Sequence, residues 1–76
     1  MMKRGRGPAQ YLLCIRNEGY PASLLRRRLY EQVPDKEADA RGLIRVIDES
    51  GADYLYPQKL FVAVNLPLPV IRAMAA

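Results

Sequence analysis

The chain has 76 residues, of which 50% are apolar and 26% charged. That fits one small globular domain and excludes both a disordered polymer and a multidomain chain. Its formal net charge is +4, and Lys3, Arg4 and Arg6 supply three of those charges before any acid appears. The body that follows is close to neutral, whereas a nucleic-acid binder more often carries a basic face on its folded domain.

Residues 1–10 combine those three basic side chains with glycine and proline and show no apolar period. They read as a disordered basic tail. Tyr11 to Arg16 reads as a first strand, and Leu12, Leu13, Cys14 and Ile15 are apolar on both pleat faces, so the strand should be central. Asn17 to Ser23 is a loop punctuated by Gly19 and Pro21. Arg27 to Val33 is read as a strand ended by Pro34, with Arg28, Tyr30 and Gln32 on one face and Leu29, Glu31 and Val33 on the other.

Residues 34–42 form a polar loop with room for one helical turn, Asp35 as its N-cap and Gly42 just past its end. Leu43 to Asp48 is a strong strand. Gly51 supplies the left-handed position of a tight turn over residues 49–52, and Asp53 to Tyr56 returns as the other arm of a hairpin. Pro57-Gln58-Lys59 makes a short turn, Leu60 to Leu66 is the last strand, and Pro67 and Pro69 break it. Val70 to Ala75 suits a short C-terminal helix with Pro69 at its first position. Five short strands with turns every ~8–12 residues predict a mainly β domain over 11–66, a small barrel or sandwich, followed by a helix or tail over 67–76.

Leu55-Tyr56-Pro57-Gln58-Lys59-Leu60-Phe61-Val62 resembles the ending of Src-homology-3-like barrels: a strand, a proline, one helical turn, then an aromatic-valine strand. The wider chain is similar to a group of small uncharacterised bacterial proteins of that type. Tyr11 to Ile15, Asn17 to Tyr20, Leu29-Tyr30, Val33-Pro34-Asp35, Gly42 to Gly51 and Asp53 to Pro57 carry the likeness. The resemblance implies a five-stranded barrel and brings no activity with it. The chain has no tryptophan and no Ala-Leu-Tyr-Asp-Tyr segment, so the aromatic groove that grips polyproline is not expected.

The residue inventory argues against catalysis. Histidine and threonine are absent, and Ser23 and Ser50 are the only serines, so no Ser-His arrangement is possible. Cys14, the single cysteine, lies mid-strand and reads as a buried inert thiol; one cysteine also fits a reducing cytoplasm. Asp35-x-Glu37-x-Asp39 fails as a calcium loop, because Ala40 and Val46 stand where glycine and a carboxylate are needed. No cofactor or metal is expected. The apolar runs are too short for a membrane span or signal peptide.

Two binding readings remain. In the first, Leu55 and Phe61 fill the core with Val62 or Val64. Tyr54 and Tyr56 then share the opposite, outward face and, with Tyr30, either form a protein-contact surface or seal the rim. That reading is a non-catalytic interaction module, binding a protein partner or a second copy. In the second, Arg28, Tyr30 and Arg45 make a basic-aromatic patch for single-stranded nucleic acid.

Overall fold

The computed structural model describes residues 10–75, so Lys3, Arg4 and Arg6 of the expected basic tail lie outside the described residues. Five strands follow in chain order: β1 (Tyr11–Cys14), β2 (Leu29–Val33), β3 (Leu43–Ile47), β4 (Asp53–Pro57) and β5 (Phe61–Val64). A five-residue helix α1 (Lys36–Ala40) separates β2 from β3. A single 3₁₀ turn (Gln58–Leu60) links β4 to β5, and helix α2 (Leu68–Ala75) ends the chain. The protein is mainly β, as the strand pattern predicts.

The strands form one antiparallel sheet in the order β4-β3-β2-β1-β5. β1 lies inside it, between β2 and β5, which agrees with its apolar residues on both pleat faces. β2 serves two neighbours along its length: Leu29, Tyr30 and Glu31 pair with β1, while Gln32 and Val33 pair with β3. β4 and β5 are the two edges and share no ladder among the described residues.

The edges nevertheless approach each other. In a flat five-stranded sheet they would be separated by four strand spacings, roughly 19 Å. Here the rings of Tyr56 in β4 and Phe61 in β5 have centroids 6.3 Å apart. The sheet is therefore strongly coiled, and three residues of 3₁₀ turn suffice to join its two edges. Pro57 stands at the start of that turn, where its missing N–H ends the ladder.

The core lies inside the coil and consists of Leu12, Cys14, Leu24, Tyr30, Ile44, Val46, Tyr56, Leu60 and Phe61. Its aromatic rings meet edge to face, Tyr30 with Phe61 at 6.4 Å and Tyr56 with Phe61 at 6.3 Å, within the favourable range for such pairs. Cys14 is fully buried, and burial raises its thiol pKa.

This arrangement corrects the expected faces of β4. Tyr56 is 4% exposed and Leu55 39%, the reverse of a reading that put Leu55 inside. The hairpin register gives the reason. Ile44 stands opposite Tyr56, Arg45 opposite Leu55 and Val46 opposite Tyr54. Directly opposed residues share a face, so the buried Ile44 and Val46 draw the tyrosine parity of β4 inward. Val62 is exposed as well, leaving Phe61 and Leu60 to fill the core from this end.

Several boundaries also differ, and β1 stops at Cys14 rather than Arg16 and β3 at Ile47 rather than Asp48. Arg27 takes φ 69° and its N–H bonds the carbonyl of Cys14 at 2.7 Å. It turns the chain, and β2 begins only at Leu29. β5 stops at Val64, short of the expected Leu66. α2 starts at Leu68, so Pro69 occupies its second position, where the missing N–H still falls among the first-turn donors that lack helical partners. The expected cap of α1 is present. The Asp35 carboxylate accepts from the Ala38 N–H at 3.0 Å, and Gly42 takes φ 73° just beyond the helix.

The face assignment has a direct consequence. Tyr56→Ala should cost about 3–5 kcal/mol, a large part of the stability of a chain this size, whereas Leu55→Ala should change stability by only about 0.5 kcal/mol. Urea denaturation of the two variants checks this, and the opposite ranking would contradict the register.

Candidate functional site

The turn joining β3 to β4 carries two adjacent acids, and each receives the hydroxyl of one core tyrosine. Tyr56 donates to Asp48 Oδ2 at 2.5 Å. Tyr30 donates to Glu49 Oε2 at 2.6 Å and accepts the Leu25 N–H at 2.8 Å. Asp48 also closes the turn on itself. Its Oδ1 accepts from the Ser50 N–H at 2.8 Å and the Ser50 hydroxyl at 2.6 Å, an aspartate-led turn of the kind that short polar side chains favour. Gly51 completes the turn at φ 86°.

The long loop between β1 and β2 packs against this turn. Leu24 is fully buried and pins the loop to the core, and the Asn17 side-chain amide donates to the Leu24 carbonyl at 3.0 Å. The Glu49 N–H donates to the Ser23 carbonyl at 3.0 Å, tying loop and hairpin together. The Tyr20 ring stands perpendicular to Tyr56 with centroids 5.0 Å apart.

Between loop and hairpin opens a cleft of about 330 Å³, lined by Tyr20, Ser23, Asp48, Ser50, Tyr54, Leu55 and Tyr56. Tyr20 and Tyr54 are 37% and 55% exposed, while Tyr56 is buried and Asp48 is 6% exposed. Burial works to raise the Asp48 pKa, but the Ser50 hydroxyl, the Tyr56 hydroxyl and the Ser50 amide outweigh it and hold the carboxyl below its ordinary range. A second cleft, of about 190 Å³, lies under α2 and is lined by Gln10, Tyr11, Val64, Asn65, Leu66, Leu68 and Ile71.

The residues singled out from the sequence are dispersed. Tyr30 and Tyr56 are core side chains, so of the three tyrosines expected to form a contact surface only Tyr54 is exposed. Arg28 pairs with Glu49 at 3.3 Å. Arg45 sits on the outer face, where it donates to Asp35 at 2.9 Å and lies 3.6 Å from Asp53. Tyr30 points inward with the parity of Val46, and its hydroxyl meets Arg28 at Glu49 Oε2, while Arg45 faces Asp35 and Asp53, so the three do not form one patch.

Sequence reasoning missed Tyr20, Ser23, Asp48, Ser50 and Leu55 as neighbours. The Asp48-Glu49-Ser50-Gly51 order announces a self-bonded turn. Nothing local, however, announces that a loop some 30 residues earlier closes over it. The described residues contain no group of three metal-ligating side chains and no helix long and apolar enough to cross a membrane. Comparison with known proteins finds no matching family model, curated protein or solved structure.

The buried hydroxyls predict the alkaline behaviour of the fold. Burial, and next the hydrogen bond to Glu49, push the Tyr30 pKa up to about 12 from an ordinary 10. A phenol with a raised folded-state pKa stabilises fully below about pH 10, and that contribution is lost as the pH climbs toward 12. Denaturation midpoints should therefore fall as the pH climbs past about 9, first through Cys14 and then through the buried phenols. Tyr30→Phe should cost about 1–3 kcal/mol near neutrality, because it strands the Leu25 N–H and leaves Glu49 with Arg28 alone, and should shrink the alkaline decline. An unchanged decline in that variant would show that Tyr30 ionises as an ordinary phenol.

Proposed function

We propose that this chain is a small non-catalytic protein-interaction module built on a Src-homology-3-like barrel. It would grip a segment of a partner protein in the cleft between the β1–β2 loop and the β3–β4 turn. The observation that carries the reading is the exposure of Tyr54 and Leu55 beside a recessed cleft whose two walls are hydrogen-bonded to each other. Walls fixed in advance lower the ordering cost of binding. The barrel reading is supported by the β4-β3-β2-β1-β5 order, the shared β2 and the 3₁₀ turn that joins the two edges.

The size of the cleft sets the strength. At about 330 Å³ it stands at the small end of ligand pockets. It accommodates one or two side chains, each contributing about 1.5–3 kcal/mol on burial. Before ordering costs that totals about 1.5–6 kcal/mol, and subtracting them leaves dissociation constants of about 1 mM or weaker, the range of transient contacts. The nucleic-acid reading has less support, since Arg28 and Arg45 both face acids.

The variants for a test follow from burial. Tyr56 belongs to the core, so removing Tyr54 and Tyr56 together would unfold the chain; Tyr54→Ala with Leu55→Ser leaves the core intact. Peptides selected from a random displayed library should move the amide resonances of Tyr20, Ser50, Tyr54 and Leu55, and the double variant should weaken them at least about tenfold. Shifts confined to other surfaces, or no selected peptide, would overturn the reading. Salt-sensitive shifts at Arg28 and Arg45 with oligonucleotides would favour nucleic acid instead.

A further inference from the structure

Most acids of the described fold whose interactions are resolved face an arginine. Asp35 and Asp53 face Arg45, Glu18 faces Arg16, and Glu49 faces Arg28. Asp48 is the contrast. It is 6% exposed, yet its partners are the Ser50 amide, the Ser50 hydroxyl and the Tyr56 hydroxyl, with no basic side chain among them. A buried charge is ordinarily balanced by an opposite one. Hydrogen bonds keep this carboxylate ionised, but they leave its charge uncompensated.

The surroundings fit a cation and exclude an anion. None of the residues lining the cleft is basic. A carboxylate offers about four acceptor positions, and three are taken, leaving one on Oδ2, the oxygen that holds Tyr56. Exposed Tyr20 and Tyr54 line the same cleft, Tyr20 standing at 89° on the buried Tyr56 ring. Tyrosine faces carry negative quadrupole potential and attract ammonium and guanidinium groups. An apolar side chain would fill the same volume but would desolvate Asp48 without neutralising it.

We propose that the cleft receives the cationic side chain, arginine or lysine, of the partner's segment, with the charged group beside exposed Tyr20 and Tyr54 and directed at the Asp48 carboxylate. The proposal rests on the cleft being the partner site. It adds that charge, rather than apolar contact, selects the occupant.

The test is an amide NMR titration of the labelled full chain with blocked tripeptides Gly-Arg-Gly, Gly-Lys-Gly and the neutral isostere Gly-citrulline-Gly, with sodium chloride and tetramethylammonium chloride as further arms. The basic tripeptides should shift Ser50, Ala52 and Tyr54 and bind about tenfold more tightly than citrulline. Tyr54→Leu, which keeps the fold, should abolish most of that preference, as should Asp48→Asn if its spectrum remains dispersed. Equal binding of arginine and citrulline, no shift with either, or shifts spread over all surface acids would overturn the proposal. Tetramethylammonium binding as tightly as the tripeptides would overturn it in favour of a small free cation. Library peptides that bind the cleft but carry no basic residue would remove the charge selection and leave the interaction module standing. Basic tripeptides that bind while no library peptide does would remove the module and leave a cation site.

Discussion

The hydrogen bond from Tyr56 to Asp48 joins the interior of this protein to its most distinctive surface. A chain of 76 residues buries little area, and two of the nine side chains at the centre of this one are tyrosines, whose hydroxyls need partners once buried. Asp48 and Glu49 provide them side by side, one for Tyr56 and one for Tyr30. The register of β3 against β4 places those acids at the end of the hairpin. The same turn then anchors the β1–β2 loop through Glu49 and Ser23. Core packing, turn geometry and the walls of the cleft are thus set by one short run of residues.

That arrangement explains why the cleft is firm although it lies between two loops. Loops usually supply mobility. Here Leu24 is buried as deeply as any core residue, and Asn17 and Tyr30 hold the backbone on both sides of it. A rigid cleft of modest size suits weak, reversible recognition, because little order is left to impose when a partner arrives.

The order of elements was legible because it depends on local signals. Proline and glycine punctuation marks the loops, Asp35 marks a helix start, and alternating apolar residues mark the strands. Residue faces on β4 were harder to read. Leu55 is the more hydrophobic residue, but Tyr54 and Tyr56 follow the parity of Ile44 and Val46. Only the hairpin register, which depends on how many residues the Asp48–Ala52 turn consumes, decides between them. Counting that turn from its Asp-x-Ser-Gly order would have placed Tyr56 inside. The site itself was not legible, since Tyr20 and Asp48 meet only after the sheet coils, a property of the whole chain. The basic residues mislead for the opposite reason: Arg28 and Arg45 look free in the sequence, and their acids come from other elements.

The central claim is that an ionised carboxylate, held by hydroxyls and amides rather than by a cation, forms the floor of the cleft. The most direct measurement is the pH titration of the Asp48 side-chain carbonyl carbon by NMR. A midpoint below the ordinary aspartate value of about 3.9 is the result expected from three hydrogen bonds to the charged form. A midpoint at or above that value would contradict the account, because the three hydrogen bonds would then not outweigh burial, and a midpoint above neutrality would leave the cleft without the charge on which its chemistry depends.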